Sequence, residues 1–248
     1  VYYLKRFGLE DLEAVGSGDN EVVSTGVKAH RRDRAGRPNH GLTSILTTAR
    51  IVHEVSFKPW PACRHVHPAI ECALKLHAQG IDPGQIEHMR LVTYAVALSF
   101  ADQPCPQTPL QGKFSLQHGV AVALLRGDFW LDDTQPESLA LPLLVSLRQR
   151  TQVRAHKRWN RAYPSHYGAK LKVWLRNGQC IEASLTDAPG DPENPLSTSE
   201  VVKKNQGVMR AANYAPRSVT QLIHACAKLP EASSMAELWR ALNKLQKV

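Results

Sequence analysis

Apolar residues recur every three to four positions in several stretches of the chain, which is the pattern of helices that bury one face. Local signals mark where these helices begin and end. Pro68 suits a first helical turn, Gly80 and Gly127 stop helices, and Ser197 with Glu200 fits a capping box. The pattern predicts a short helix over 1–14 and further helices over 68–79, 115–125, 135–149, from 197 onward, 216–228 and 233–247.

Alternation of apolar and polar residues predicts the strands. Residues 52–57 alternate as they enter a proline-rich segment, and the β-branched run 91–96 indicates a second strand. Residues 170–175 and 180–185 flank Asn177-Gly178, a strong signal for a tight turn, and therefore predict a β-hairpin. Prolines and glycines place loops at 103–109 and 186–196. The sequence thus predicts an α+β unit over 50–200 and C-terminal helices over 201–248, with 1–49 as an N-terminal segment or linker.

Composition narrows the class of protein. A chain of 248 residues with 43% hydrophobic content can bury a sizeable core. No apolar run reaches the ~18 residues that a membrane helix needs, and the first residues lack the apolar core of a secretory signal. The five cysteines are an odd number without a CxxC pair, which indicates reduced thiols. We therefore expect a cytoplasmic protein without membrane partners.

The formal net charge of +9 is compatible with three kinds of binding partner: nucleic acid, an anionic membrane or a small polyanion. The sharpest basic cluster, residues 30–37, has no interleaved aromatic residues to stack on bases and belongs to no recognisable nucleic-acid module. We expect a solvated loop there, and no nucleic-acid partner. The other positive charges are spread along the chain, which suits a ligand with several carboxylates.

The strongest candidate for function is the proline-rich segment, residues 57–70, with the sequence FKPWPACRHVHPAI. Its prolines make a stiff loop, and its cationic and imidazole groups suit the binding of a small anion. Lys58 and Arg64 are candidate anion ligands. His65 and His67 would share one face if this segment were extended and could then hold a metal with Cys63, but no fourth ligand is evident. The other interpretation is a rigid connector with solvated charges.

A second cluster consists of Lys113, Ser115 and His118 near the start of a predicted helix. Ser115 is either an N-cap or, with Lys113, a contact for an anion at exposed backbone amides. His118 is either a pocket residue or a histidine satisfied within its helix. The carboxylates of the loop 186–196, including Asp187 and Asp191, are interpreted as turn and cap residues.

Three stretches of the chain, in this order, resemble the motifs of the MmgE/PrpD family. These are FKPWPACRHVHPAIECAL from residue 57, KFSLQH from residue 113 with Gly127 beyond it, and Asn177-Gly178 followed by GDP and NPL at 190–196. Each match is modest by itself, and the three together are fairly specific. The resemblance covers residues 50–248.

The resemblance implies a small α+β domain that faces a large helical domain across an active-site cleft. Family members include 2-methylcitrate dehydratase and cis-aconitate decarboxylase, which eliminate water or carbon dioxide from tricarboxylates without a metal or organic cofactor; others racemise related acids. By this resemblance His67 is the catalytic candidate. The implied substrate-binding residues are Lys58, Arg64, His65, Lys113, Ser115 and His118.

One feature departs from the family's pattern. The helical domain that carries the acid–base residues precedes the small domain, yet only about 50 residues precede the proline-rich segment. The expectations are therefore a fragment, a shortened relative or a divergent protein. One hypothesis is a lyase that another chain completes and that is weak or inactive alone. The other is a non-catalytic remnant that binds a polycarboxylate or a protein partner. A cis-aconitate decarboxylase or a related epimerase is a further alternative. Exposed apolar surface would favour a homo-oligomer.

Overall fold

The structure is a computed structural model, and it describes residues 55–247. The predicted helix over 1–14, the linker and the basic cluster 30–37 lie outside the described residues. Within them, helices combine with a mixed four-stranded sheet, so the α+β class predicted from the sequence is confirmed. The helices are α1 (His67–His77), α2 (Ala95–Ala101), α3 (Pro109–Lys113), α4 (Leu116–Arg126), α5 (Pro136–Leu139), α6 (Pro142–Gln149), α7 (Lys157–Ala162), α8 (Thr198–Ala211), α9 (Pro216–Ala227) and α10 (Ala236–Asn243).

The sheet has the spatial order β2-β1-β3-β4. Its strands are β1 (Ile86–Thr93), β2 (Thr151–Ala155), β3 (Ala169–Leu175) and β4 (Cys180–Leu185). β1 runs parallel to β2 and antiparallel to β3, and β3 pairs with β4 in the predicted hairpin. Gly178 closes this hairpin at φ 85°, where a side chain would be strained.

The core lies between one face of the sheet and the helices α1 and α4. Met89 and Leu91 of β1 and Leu171 of β3 are buried, whereas Arg90 between them is exposed, as the two-residue period of a strand requires. α1 packs against β3, β4 and α4. The packing of α1 on α4 matters for function because α1 begins at His67, directly after the proline-rich loop.

The helix signals near Gly127 and Ser197 are confirmed. Gly127 ends α4 in the left-handed conformation, and the Ser197–Glu200 capping box is formed at the start of α8. The helix predicted over 135–149 is instead divided into α5 and α6. Pro142 opens α6, and proline has no backbone N–H with which to continue the preceding helix.

Two strand predictions are corrected. The strand over 91–96 is displaced: β1 ends at Thr93, and α2 already begins at Ala95. The strand over 52–57 is wrong for its described part, since residues 55–57 are irregular and the backbone N–H of Phe57 donates to Gly190 O at 2.8 Å. β2 and the helices α2, α3 and α7 were not predicted. Among the described helices, none is both long enough and apolar enough to cross a lipid bilayer.

Candidate functional site

The proline-rich segment folds as an irregular loop up to Cys63, a single 3₁₀ turn over Arg64–Val66, and then α1. His65 and His67 therefore do not lie in an extended strand, and the interpretation that both rings share one face is wrong. No cluster of three metal-ligating side chains forms in the range 55–247. The two histidines lie in different surroundings, His65 beside Tyr94 and Phe100 and His67 beside Ala62 O.

Three backbone and side-chain contacts bring the three motif segments together. The backbone N–H of Cys63 donates to Lys113 O at 2.8 Å, and the N–H of Phe57 donates to Gly190 O at 2.8 Å. Gly190 adopts φ 85°, and a Cβ there would lie 1.7 Å from the carbonyl oxygen of Phe57, so only glycine allows this approach. Segments far apart in sequence thus form one structural unit around the loop.

Arg64 and Asp191 form the third contact, an ion pair of 2.5 Å between Nη2 and Oδ1. The guanidinium also lies 4.0 Å from the ring centroid of Tyr167. Burial raises the pKa of Asp191, which is 3% exposed, and Arg64 opposes this effect. The carboxylate thus holds the loop 186–196 against the 3₁₀ turn. Arg64 thus forms an ion pair within the fold, and its contact with a substrate stays a prediction.

His65 lies in an aromatic cluster rather than facing solvent. Its Nδ1 is 2.7 Å from the Tyr94 hydroxyl, and its ring stacks on Phe100 at 5.1 Å between centroids. Burial lowers the pKa of His65 to about 4, and the charges of Arg64 and Lys58 act in the same direction. The ring is therefore neutral at physiological pH, and the Tyr94 hydroxyl donates to Nδ1 when the ring proton is on Nε2. Tyr94 was not found from the sequence because it lay in a presumed strand.

His67 is the first residue of α1 and is 1% exposed. Its Nε2 lies 3.3 Å from Ala62 O, and since a carbonyl only accepts, Nε2 carries the proton. Burial lowers the pKa of His67 to about 3; the Ala62 carbonyl opposes this, and the charges of Lys58, Arg64 and Lys204 lower the pKa further. The ring is neutral, and its catalytic role stays a prediction.

Lys58 is exposed, and its positive charge disfavours protonation of His65 and His67. It therefore lowers the pKa of both rings. Lys113 is half-buried at the end of α3. Lys204 was missed by the sequence reasoning: it belongs to α8 and adds a cationic charge within reach of His67. No motif in the sequence distinguishes Lys204 from other lysines. Its position becomes evident only in the fold, where α8 lies close to the loop at Pro59 and Trp60.

Ser115 and His118 are both buried and engaged within the fold. Ser115 caps α4: its Oγ accepts from the backbone N–H of His118 at 2.9 Å and donates to Gln103 O at 2.5 Å. The Nδ1 of His118 accepts from Arg148 Nη1 at 3.2 Å, and Nε2 donates to Asp133 O at 2.7 Å. Burial lowers the pKa of His118 to about 4. The N-cap and the satisfied helix histidine are thus both formed, and substrate contacts by these residues stay predictions.

The profile of the MmgE/PrpD C-terminal domain matches residues 60–229. The chain belongs to the MmgE/PrpD family. The matched range contains most of the loop, the whole sheet and helices α1 to α9, so α8 with Lys204 is part of the MmgE/PrpD domain. A comparison with curated proteins found no match.

The residues that the structure assembles around the loop belong almost entirely to the part of the chain that matches the MmgE/PrpD domain. Arg64, His67, Lys113 and Gly190 lie within the matched range, and Lys58 lies two residues before it. The charges of Lys58 and Arg64 act on both neutral imidazoles, and that of Lys204 acts on His67. Of these groups, the exposed Lys58 can donate hydrogen bonds to a carboxylate and neutralise its charge, since Arg64 already pairs with Asp191.

Proposed function

We propose that this MmgE/PrpD domain binds a small tri- or dicarboxylate at the proline-rich loop, as the small-domain half of a lyase of the 2-methylcitrate dehydratase type. The observation that carries the proposal is that two backbone hydrogen bonds, from Cys63 N–H to Lys113 O and from Phe57 N–H to Gly190 O, join the three motif segments at the loop that carries Lys58.

The charges of Lys58, Arg64 and Lys204 lower the pKa of His67. Asp191 already neutralises Arg64, so the repulsion that a polycarboxylate would relieve is that between Lys58 and Lys204.

In this mechanism the loop stabilises charge and does not remove the proton. Elimination next to a carboxylate produces an enolate-like dianion, and preorganised cations and N–H donors lower the energy of that state. In this proposal Lys58 supplies this stabilisation, and His67 adds to it only once its Nε2–H turns from Ala62 O to the substrate, while the base comes from a helical domain opposite the loop. The domain acts without a metal or an organic cofactor in this proposal.

A second function is a binding role without catalysis. The pKa of His67 is about 3, and its Nε2–H is already directed at Ala62 O. An imidazole with such a pKa is a weak base at neutral pH, because an effective general base has a pKa near the working pH. This observation favours a domain that holds a polycarboxylate, with proton transfer either absent or performed elsewhere.

Calorimetric titration with citrate, 2-methylcitrate and cis-aconitate tests the anion site. We expect saturable binding that weakens about tenfold to a hundredfold in Lys58→Ala, since one charged hydrogen bond is worth roughly 1.5–3 kcal/mol. Lys244→Ala, an exposed lysine after α10, is the matched control and should bind as the unmodified chain does. Absence of binding, or equal loss in both variants, would contradict the proposal.

Product analysis by NMR separates the possible reactions. Incubation of the chain with each acid distinguishes dehydration, decarboxylation and epimerisation by the products formed. We expect no turnover by the chain alone and turnover only with an added helical domain. Binding that never leads to turnover, even with such a domain present, would support the non-catalytic role. Turnover of 2-methylcitrate by the isolated chain would show that no second half is needed.

A further inference from the structure

One face of the four-stranded sheet points away from the core and is open to solvent. Its side chains alternate along β1 and β3 with the buried Leu91 and Leu171, because successive residues of a strand point to opposite sides. The residues that carry the argument are all exposed or half-buried. We call the surface that they form the open sheet face; they are His88, Arg90, Arg154, Lys170, Lys172 and Trp174.

The open sheet face carries an excess of positive charge. Arg90 of β1 lies opposite Lys172 of β3, and both Arg90 and Arg154 are exposed. Glu182 of the neighbouring β4 binds two of the lysines: its carboxylate lies 2.6 Å from Lys170 Nζ and 3.1 Å from Lys172 Nζ. One carboxylate thus offsets one of the four positive charges on this face.

The positive charge extends along the chain beyond the sheet. Residues 138–181 contain nine lysines and arginines and no aspartate or glutamate, and this stretch includes β2, α7 and β3. Lys157, Arg158 and Arg161 of α7, which follows β2 directly, are exposed as well. A surface with one sign of charge attracts a partner that carries many charges of the opposite sign.

An aromatic pair lies beside these cations. His88 stacks on Trp174 across β1 and β3, with 4.5 Å between the ring centroids and 11° between the ring planes. The Arg90 guanidinium lies 5.5 Å from the Trp174 ring centroid. Since His88 is exposed, another flat ring can continue the stack upon it. An anionic bilayer would use the cations but not the stacked rings, so the aromatic pair favours a partner that has both phosphates and bases.

We propose that the open sheet face binds single-stranded nucleic acid, with phosphates at its four cations and a base stacked on His88. Sheets bind single strands in this way, through aromatic rings that stack on bases and cations that contact the backbone. The proposal uses residues outside the carboxylate site and does not depend on it. It departs from the expectation of no nucleic-acid partner, which rested on residues 30–37, where the cations have no aromatic residues among them.

Fluorescence anisotropy of the full chain with labelled oligouridylate and oligothymidylate tests the proposal. We expect saturable binding and a slope of about −2 to −3 for log K against log salt, because each neutralised phosphate of a single strand contributes about −0.7. Arg154→Gln should make this slope shallower by roughly 0.7. His88→Ala should weaken binding about fivefold or more without changing the slope. Arg217→Gln, at an exposed arginine of α9, is the matched control and should change neither quantity.

The remaining outcomes would overturn the inference. The combined variant Arg31→Gln, Arg32→Gln, Arg34→Gln and Arg37→Gln removes the basic cluster 30–37 and should bind both oligonucleotides as the unmodified chain does. Loss of binding in this variant, with normal binding by Arg154→Gln and His88→Ala, would assign the nucleic acid to that cluster. Equal affinity for a duplex of the same length would show attraction by charge without stacking. Binding to phosphatidylserine vesicles but to neither oligonucleotide would identify a membrane surface instead.

Discussion

At the scale of single residues, the ion pair of Arg64 with Asp191 explains how a loop rich in cations is held in one shape. Both partners are largely withdrawn from water, and each would be costly alone. The sequence reasoning assigned Arg64 to substrate and Asp191 to a turn. The structure shows instead that the two motifs stabilise each other, with the Arg64 guanidinium also lying over the Tyr167 ring.

We predict that Arg64→Met destabilises the fold by about 3–5 kcal/mol, because it leaves the buried Asp191 carboxylate without its cation. Urea denaturation monitored by circular dichroism measures the loss. The double variant Arg64→Met with Asp191→Leu is the control, since it removes both charges and should recover much of the stability. If the double variant were as unstable as the single one, the uncompensated charge would not be the cause.

Tyr94→Phe tests the second residue-scale contact. The hydroxyl lies 2.7 Å from His65 Nδ1 in a buried position, and its removal leaves a polar nitrogen unsatisfied. We expect a loss of roughly 1–3 kcal/mol in the free energy of unfolding. A changed ¹⁵N shift of the His65 ring would show that the effect arises at this contact. Tyr214→Phe, a partly exposed tyrosine near Lys247, should change the stability far less.

At the scale of elements, the orientation of the loop depends on how closely α1 approaches α4. Gly119 of α4 faces Val66 and Ile70, and a Cβ at residue 119 would lie 2.6 Å from Val66 Cγ1 and 3.1 Å from Ile70 Cγ1. A hydrogen in place of a methyl group therefore lets the residues on either side of His67 pack against α4.

We predict that Gly119→Ala lowers the stability by about 1–3 kcal/mol, because overpacking outweighs the better helix propensity of alanine. The same variant should weaken citrate binding, since Val66 lies between His65 and His67. Adding Val66→Ala makes room for the new methyl group and should restore part of both properties. Unchanged thermal unfolding of Gly119→Ala would mean that the two helices separate at no cost.

At the scale of the whole molecule, the buried histidines set how stability depends on pH. The folded-state pKa is about 3 for His67 and about 4 for His118, below the ordinary value of 6.5. Between these values the unfolded chain binds more protons than the folded one, so stability is full above pH 6.5 and is lost as the pH falls. The raised pKa values of the Asp133 and Asp191 carboxyls act in the opposite direction.

We predict that the urea midpoint falls as the pH is lowered from 7 to 5.5. Below pH 6.5, His67 and His118 should each lower the free energy of unfolding by up to about 1.4 kcal/mol per pH unit. His118→Gln should show a shallower slope than the unmodified chain, although its stability at pH 7 is lower. An identical slope in the variant would exclude His118 as a source of the pH dependence.

The predicted homo-oligomer can be measured by light scattering in the same buffers.

Some features could be predicted because their causes are local. The Ser197 capping box, the glycine that ends α4 and the Asn177-Gly178 turn act over a few residues, so the sequence alone placed them correctly. The proline-rich loop and its family motif were recognised in the same way. The division of α5 from α6 also has a local cause in Pro142, which the helix pattern of 135–149 obscured.

The chain's sequence by itself determined the α+β class, the helices α1, α4 and α9 to within two residues, the start of α8, the hairpin and the residues of the loop. Only the tertiary structure decided what these residues face: the parallel pairing of β1 with β2, Asp191 opposite Arg64, the Tyr94 contact of His65, and the charge of Lys204 near His67. The physical reason is that periodicity shows which face of an element is buried but not which distant segment covers it. Contacts between remote segments depend on how the whole core packs.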